Sequence, residues 1–331
     1  MLSNHGISFE QIINPVKMKP RKLIYLYSDS TFTPWKENIF GTTIAHFLIS
    51  TPENYYPYIT HFVGFSNEFA EFLKQFDVVF NVCYGFKEAG QADIAHWLDS
   101  HNIKHTASSY EIQILAKDKL NMSELCQTVG LKTPPIIDLG DISTSNFERF
   151  IVKPRMGSLH LNILVFHKSD IPYQELLKRE NYIIQPYLTG REFTIAIIPN
   201  EDGTDYVALK PLEIRPNDNR EVYIAGQNYG ITEKILNPDL DENLKNDMMK
   251  KVLSLHKSMK IKGMSRTDVR IHAGEIFILD INTMPNLDAR SFLPLIAQNE
   301  GINLKELFRR ILLSIEVAHK FVIKKEVFLE V

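Results

Sequence analysis

Two neighbouring segments in the last third of the chain carry the residues best suited to chemistry. Residues 265–270 and 277–282 alternate polar and apolar side chains around a glycine-containing break, a pattern that predicts a β-hairpin. Because side chains alternate faces along a strand, one face would be polar. Its members are Arg266, Asp268, Asp280 and Asn282. A three-residue loop centred on Gly274 would place Asp268 directly opposite Asp280.

The facing carboxylates of this hairpin require positive charge nearby. Like charges opposite each other destabilise a sheet, and a hard divalent cation held by carboxylate and amide oxygens would remove the repulsion. A solvated polar face, with Arg266 or Arg270 neutralising the pair, is the alternative. The other face is predicted to be apolar, through Thr267, Val269, Ile271, Phe277, Leu279 and Ile281.

Length and composition restrict the class of protein. The 331 residues, 44% of them hydrophobic, predict two or three lobes with a substantial core. The net charge of -3 argues against nucleic acid or an anionic membrane surface as a partner. Neither a membrane span nor the apolar core of a signal peptide is recognisable. Cys83 and Cys126 are far apart, which predicts reduced thiols in a cytoplasmic protein.

The elements that would position the hairpin follow from the hydrophobic pattern. Strands are predicted at residues 22–27, 58–65, 77–83, 150–154, 162–166 and 192–198, and residues 183–188 are predicted to be a strand or a linker. Helices are predicted at residues 38–49, 69–75, 91–101, 108–129, 243–259, 291–298 and 304–318. The early alternation predicts a small α/β lobe with a parallel sheet that binds ligands at its strand ends. The polar stretch 216–233 is predicted to be a mobile loop.

Two lysines and a small-residue loop precede the hairpin. Lys153 ends a short apolar strand before Gly157 and Ser158, and a lysine beside exposed backbone N–H groups suits phosphate. Lys117 lies in a predicted helix and Glu192 opens a predicted strand; each alone could be an ordinary solvated residue. Combined with the carboxylate–amide cluster, these are the parts of a metal–nucleotide site. Neither a Walker A sequence nor a kinase-type glycine-rich loop is present.

Four patterns together resemble the ATP-grasp superfamily and, within it, the D-alanine–D-alanine ligase family. They are Val152-Lys153-Pro154 with Gly157-Ser158, the stretch 190–196, Arg266-Thr267-Asp268, and Asp280-Ile281-Asn282-Thr283-Met284-Pro285. The last is similar to the family signature Glu-x-Asn-Thr-x-Pro-Gly. The resemblance implies an α/β, three-lobed ATP-grasp fold with an N-terminal parallel α/β (pre-ATP-grasp) lobe. The expected divisions are a lead-in at 1–21, the α/β substrate lobe at 22–104, a central ATP-grasp lobe at 105–188 and a C-terminal lobe with the metal site at 189–331.

The resemblance also implies a role for each candidate residue. ATP would be held by Lys117, Lys153, Ser158, Gln185, Pro186, Tyr187, Leu188 and Glu192. Mg²⁺ or Mn²⁺ would be held by Asp268, Asp280 and Asn282. Arg266 would stabilise a tetrahedral oxyanion, and the substrate pocket would include Tyr84, Asn286 and Ser291. In the implied reaction a substrate carboxylate attacks the γ-phosphate, and an amine then attacks the acyl phosphate. The family precedent is a homodimer.

The departures from the family pattern concern the substrate more than the ATP. The glutamate that holds the amino group of the first D-alanine has no clear counterpart, and Tyr84-Gly85 replaces the family's His-Gly. The lid match near residues 223–227 lacks the family's lysine, and Asn286 replaces a glycine. We therefore predict an ATP-dependent carboxylate–amine ligase for amino-acid-like substrates, with an altered pocket. The alternatives are an ordinary D-alanine–D-alanine ligase and an inactive ATP-binding scaffold.

Overall fold

The computed structural model describes residues 20–28, 45–156, 163–216 and 232–329. The strands in these ranges are β1 (Arg21–Tyr27), β2 (Tyr55–His61), β3 (Val78–Asn81), β4 (Gly85–Phe86), β5 (Ala89–Gly90), β6 (Arg149–Pro154), β7 (Leu164–His167), β8 (Tyr182–Pro186), β9 (Arg191–Pro199), β10 (Tyr206–Ala208), β11 (Leu212–Pro216), β12 (Thr232–Ile235), β13 (Ser265–His272) and β14 (Glu275–Asn282). The α-helices with assigned bounds are α1 (Asn67–Leu73), α2 (Gln91–Ser100), α3 (Tyr110–Lys117), α4 (Lys119–Thr128), α5 (Tyr173–Leu176), α6 (Glu242–Ser258), α7 (Phe292–Asn299) and α8 (Leu304–Leu329).

The first lobe contains the predicted parallel sheet, in the order β2-β1-β3. The central strand β1 is apolar on both faces, as expected for a strand covered on both sides. Leu23 and Tyr25 face the last helices of the chain, whereas Ile24 and Leu26 face α1 and α2. Both faces of β1 are therefore covered.

The large sheet of the C-terminal lobe has the order β12-β11-β9-β13-β14, with β10 pairing the end of β9. One face packs on α3, α4 and α6 through Phe193, Ile195 and Val269. The other face continues into the core of the first lobe. Phe308 of α8 packs there against Tyr25 and Phe80, with ring centroids 6.0 and 4.9 Å away. The first and C-terminal lobes thus share one hydrophobic core.

A small antiparallel sheet, β7-β6-β8, lies between these two regions in the chain and has a core of its own. Phe150 and Val152 of β6 point into that core, together with Ile184 of β8. Lys153 pairs with Ile183 and Ile151 pairs with Gln185, so Lys153 and Gln185 share the opposite face. This second face is the one available to a ligand.

Several predicted elements differ from the observed ones in their ends. The helix expected over 108–129 is broken at Asp118, whose extended backbone (φ -81°, ψ 101°) caps α4. The strand predicted at 58–65 lies at Tyr55–His61, and that at 183–188 ends at Pro186. Strands β10 to β12 were missed because their pattern is short and irregular. The loop at 157–160, residues 38–44 of the first predicted helix and most of the predicted lid, 217–231, lie outside the described residues.

The predicted hairpin is present, but its turn and one face differ from the prediction. β13 and β14 are joined by a two-residue turn, Ala273-Gly274, in which both φ angles are positive (50° and 80°). Asp268 still faces Asp280, because β14 has a bulge there: Leu279 is an extra residue opposite the step from Asp268 to Val269. Beyond the bulge, Ile276 and Ile278 join the core in place of the predicted Phe277 and Leu279.

Gly190 occupies a position where a side chain cannot fit. Its φ is +115°, and a Cβ there would lie 2.1 Å from the carbonyl oxygen of Ile271. We expect Gly190→Ala to lower the free energy of unfolding by about 2–4 kcal/mol through backbone strain and overpacking. Gly274→Ala is the matched control, since its φ is +80° with nothing within 4 Å of the new Cβ. Denaturant unfolding should show a clearly smaller loss for the control; equal losses would contradict the clash.

Candidate active site

Asp268 and Asp280 form a carboxylate pair on the face of the large sheet that meets the first lobe. Asp268 is 5% exposed and Asp280 lines the same face directly opposite. Burial raises the pKa of Asp280, and the neighbouring Asp268 adds to that effect. Lys119, Lys153 and Arg266 act in the other direction on the same pKa. The pair is therefore surrounded by cations from three elements.

The two arginines beside the pair have different partners. The Arg266 guanidinium donates to both carboxylate oxygens of Asp268, with Nε–Oδ1 and Nη2–Oδ2 distances of 3.2 and 3.0 Å. Neutralisation by Arg266, the alternative to a cation, is thus present for Asp268. Arg270 instead pairs with Glu192 and donates to the carbonyl of Leu188 at 2.8 Å.

Lys153 projects from the small sheet toward the large sheet. It projects from the face of β6 opposite to the small core. Burial, with help from Lys119 and Arg270, lowers its pKa to about 8, whereas Asp280 and Glu192 raise it. Since these groups belong to the large sheet and to α4, the free face of the small sheet is turned toward the carboxylate pair. The cleft between the two sheets is the candidate active site.

The lysine that α4 places in this cleft is Lys119. It is 9% exposed and acts on the pKa of both Asp280 and Lys153. The predicted candidate, Lys117, extends toward the first lobe: its Nζ lies 3.6 Å from the position of a Cβ on Gly90, and Asp93 raises its pKa against the effect of burial. A phosphate-binding role for Lys117 stays a prediction, and the helix break at Asp118 gives Lys119 the better position.

An ion pair holds Lys119 beside Lys153. Asp118 accepts backbone N–H groups of α4 and is bound in parallel by Arg155, through Nε–Oδ1 and Nη2–Oδ2 distances of 2.8 and 2.7 Å. Arg155 holds the pKa of the Asp118 carboxyl below its usual value. Because Arg155 follows Lys153-Pro154 directly, the start of α4 is fixed to the end of β6.

The predicted adenine-contacting segment, 185–188, lies along the inner edge of the cleft. The Gln185 side chain is 3% exposed and donates to the carbonyl of Pro134 at 2.8 Å, while its buried Oε1 has no partner among the described residues. Pro186 and Leu188 are buried. The Tyr187 ring lies 4.6 Å from the Arg149 guanidinium carbon and 5.8 Å from that of Arg270. The segment leaves one buried acceptor, Gln185 Oε1, without a protein donor in the described chain.

Three more candidates lie at the end of β14 and on the loop that leads to α7. Asn282 Oδ1 accepts the backbone N–H of Met284 at 2.9 Å, and Asn286 Oδ1 accepts that of Asp288 at 2.8 Å. Ser291 precedes α7 but makes no cap bond, and its buried Oγ has no partner among the described residues.

Tyr84 joins this loop from the first lobe. Burial and nearby Asp288 raise its pKa, and its ring packs against a small apolar cluster that includes Met284.

Ser158 lies outside the described residues. Across the ranges that the structure describes, no group of three or more His, Cys, Asp or Glu side chains is arranged to hold a metal. The predicted metal set has two carboxylates and one amide. In the same ranges, no helix has the length and apolarity needed to cross a membrane.

Comparison with known proteins identifies the family to which this chain belongs. Residues 172–313 match the family profile described as D-ala D-ala ligase C-terminus. A D-alanine–D-alanine ligase of Thermotoga petrophila is 30% identical over 250 residues, which cover 73% of this chain and 80% of that protein. The corresponding ligase of Fervidobacterium nodosum is 32% identical over 262 residues, covering 71% and 80%. The chain belongs to the D-alanine–D-alanine ligase family. It is accordingly an ATP-grasp carboxylate–amine ligase by class.

Solved structures of the D-alanine–D-alanine ligase family share the fold. The Bacillus anthracis D-alanine–D-alanine ligase complexed with ATP superposes with a TM-score of 0.72 at 18% identity, covering 91% of this chain and 98% of that one. The VanG D-Ala:D-Ser ligase of Enterococcus faecalis gives 0.70 at 13% identity, covering 89% and 99%. The predicted three-lobed ATP-grasp fold is therefore confirmed.

The cleft of this ligase should make ATP binding depend on pH through Lys153. Above its pKa of about 8 the free protein holds Lys153 neutral, and a bound polyanion would favour the charged form. We expect the affinity for ATP to be flat below pH 8 and to fall above it, approaching about tenfold per pH unit. Calorimetry at pH 8.5 in two buffers should detect proton uptake on binding. Lys153→Arg, which stays charged, should remove both effects; their persistence would assign them to another group.

Proposed function

We propose that this chain joins two amino-acid-like substrates through an amide bond, using ATP to activate the carboxylate of the first as an acyl phosphate. The observation that carries the proposal is the convergence of Lys119, Lys153 and Arg266 on the Asp268–Asp280 pair. Positioning and charge neutralisation dominate phosphoryl transfer, and these groups supply both. An inactive scaffold would gain nothing from keeping facing carboxylates.

ATP would lie in the cleft between the two sheets. Lys153 and Lys119 would hold the phosphates, and Lys117 and Ser158 stay predicted contributors. The 185–188 segment would line the adenine, and the buried Gln185 Oε1 offers the exocyclic amine an acceptor. Glu192 would bind ribose, with Arg270 fixing its carboxylate.

Mg²⁺ or Mn²⁺ would be held by Asp268, Asp280 and Asn282. The donor set fits, because hard cations take carboxylate and amide oxygens and complete their shell with phosphate oxygens and water. The raised pKa of Asp280 also fits, since a cation at this position would relieve the repulsion between the two carboxylates. A bound divalent ion would supply positive charge that offsets the charge of the ATP phosphates.

Arg266 would face the oxyanion that forms when the amine attacks the acyl carbon. Its guanidinium is fixed by Asp268 and lies 5.2 Å from the centroid of the Phe292 ring, so its charge is preorganised. Tyr84, Asn286 and Ser291 would line the pocket in which the amino acids bind. The Ser291 hydroxyl, which has no partner within the described part of the chain, is suited to a ligand carboxylate.

Two substrate assignments have specific support. The chain's similarity to D-alanine–D-alanine ligases at 30–32% identity favours D-alanine in both positions. The altered pocket is favoured by Tyr84-Gly85 after β3 and by Asn286 before α7, which depart from the family pattern. A fold shared within a family does not determine the substrate, so the two assignments require an experiment.

Phosphate release from Mg-ATP, with mass spectrometry of the products, separates these assignments. Purified protein would be tested with D- and L-amino acids singly and in pairs. D-Ala-D-Ala from D-alanine alone would establish the ordinary ligase. Product from another pair only would establish the altered pocket. No phosphate release across the panel would contradict the proposed ligase activity.

A further inference from the structure

Arg155 lies where the two halves of the cleft are joined. The small sheet β7-β6-β8 has its own core, whereas α4 packs with the large sheet through Met122 and Cys126. Arg155 directly follows β6, and its N–H donates to the carbonyl of Asn181, just before β8, at 2.7 Å. Its own carbonyl accepts the N–H of Lys119 at 3.1 Å. The backbone of one residue thus links the small sheet to the start of α4.

The Arg155 side chain makes a second link at the same place. Its guanidinium holds Asp118 through the two parallel hydrogen bonds described above, and the Asp118 side chain is only 8% exposed. Exposed ion pairs contribute little, but a bidentate arginine–carboxylate pair with a buried partner fixes both position and orientation. Asp118 also accepts the N–H groups of Leu120 and Asn121, so it is tied to α4 itself. Movement of β6 away from α4 would therefore break the pair.

Both lysines of the cleft lie close to this link in the chain. Lys153 is two residues before Arg155, and Lys119 directly follows Asp118. Two ammonium groups held near each other repel, and after burial the nearness of Lys119 is the next cause of the lowered pKa of Lys153. In the free protein this repulsion favours separation of β6 from α4. The Arg155–Asp118 pair opposes that separation.

We propose that Arg155 is a positioning residue: paired with Asp118, it holds the small sheet against α4 so that Lys153 and Lys119 together face the phosphates of ATP. The inference rests on the proposed binding of ATP in this cleft. Without the pair, ATP would have to bring two repelling ammonium groups together, and that cost would weaken its binding. Because the pair is formed in the free protein, the lysines are in place before the nucleotide arrives. Arg155 acts through them and requires no contact with the nucleotide.

The test compares the binding of Mg-ATP and of adenosine in the wild-type protein and in Arg155→Met. Adenosine carries the base and the ribose but no phosphate, so its binding should not depend on the two ammonium groups. We expect Arg155→Met to weaken Mg-ATP binding about 10-fold or more in calorimetry, as for the loss of a charge-assisted hydrogen bond. Adenosine affinity, from a ligand-observed NMR titration, should stay within about twofold. In steady-state kinetics the KM for ATP should rise, and the KM for the amino acids should not.

Asp118→Asn separates positioning from a direct electrostatic effect of Arg155. Asparagine caps helices about as well as aspartate, so this variant weakens the ion pair and keeps the start of α4. If Arg155 positions the lysines, Asp118→Asn also weakens Mg-ATP binding, and the double variant is about as weak as either single one. If Arg155 bound the phosphates directly, the loss of negative charge in Asp118→Asn would strengthen Mg-ATP binding. Arg155→Lys keeps the charge without the bidentate geometry and should recover part of the affinity.

A control on the same sheet and a set of contrary outcomes complete the test. Glu148→Gln removes an exposed ion pair with Lys168 beside the small sheet and should bind Mg-ATP as wild type does. Stronger Mg-ATP binding in Asp118→Asn, equal losses for ATP and adenosine, or unchanged Mg-ATP affinity in folded Arg155→Met would overturn the inference and leave the ligase function in place. A wild-type protein that binds no Mg-ATP would instead overturn the proposed function, and the inference with it.

Discussion

Replacing Asp280 with Asn should abolish metal-dependent turnover without unfolding the protein. The substitution removes one of the two facing carboxylates and leaves the strand pairing in place. We expect kcat to fall by about 10²–10⁴-fold, since a proposed metal ligand is lost where charge builds up during phosphoryl transfer. Steady-state phosphate release over a range of Mg²⁺ concentrations measures this loss.

The same variant has a distinctive expected effect on stability. Burial and Asp268 raise the pKa of Asp280, so the ionised side chain is disfavoured in the folded protein at neutral pH. A neutral Asn removes that penalty, and the melting temperature without ligands should not fall. The rise in melting temperature on adding Mg-ATP should disappear. Glu275→Gln, on an exposed residue at the start of the same strand, is the control. Unchanged turnover in Asp280→Asn would remove this residue from the site.

Replacing Lys119 or Lys117 with methionine, one at a time, should have very different effects on catalysis. Lys119→Met is expected to lower kcat/KM for ATP by at least about 100-fold, because it removes a charge that acts on both Lys153 and Asp280. Lys117→Met should lower it by less than about fivefold, since that ammonium faces Gly90 and Asp93. Kinetics at fixed amino-acid concentrations and variable Mg-ATP would show the difference.

The two variants serve as controls for each other, since both replace one lysine of the sequence Lys117-Asp118-Lys119. Circular dichroism should show the same helix content in both. A large loss in Lys117→Met with a small one in Lys119→Met would restore Lys117 as the phosphate-binding lysine. Equal large losses would mean that both residues reach the nucleotide.

The hairpin shows what residue patterns could and could not predict. Strand alternation was enough to place Asp268 opposite Asp280 and to infer their need for positive charge. The turn was predicted one residue too long, and a bulge in β14 restored the same pairing. Bulges depend on how a strand packs on its neighbours, here β13 and α3, and a single sequence does not encode that directly.

Lys119, which the sequence analysis did not select, shows a second limit. Helical periodicity runs through residues 108–129, but Asp118 is a strong N-cap residue and Arg155 holds it in that role. The preference of aspartate for helix starts was a visible signal for the break, whereas its partner Arg155 is distant in sequence.

The core shared by the first and C-terminal lobes limits how this enzyme can be re-engineered. Phe308 of α8 fills space between Tyr25, Phe47 and Phe80, and Glu316 accepts hydrogen bonds from Arg21 and Tyr55. A first lobe transplanted from a relative to change substrate choice would meet an unmatched α8 and lose this packing. A functional chimera should therefore exchange the first lobe together with α8, two segments from opposite ends of the chain. The small β7-β6-β8 sheet, with its own core, is the part that could be exchanged alone.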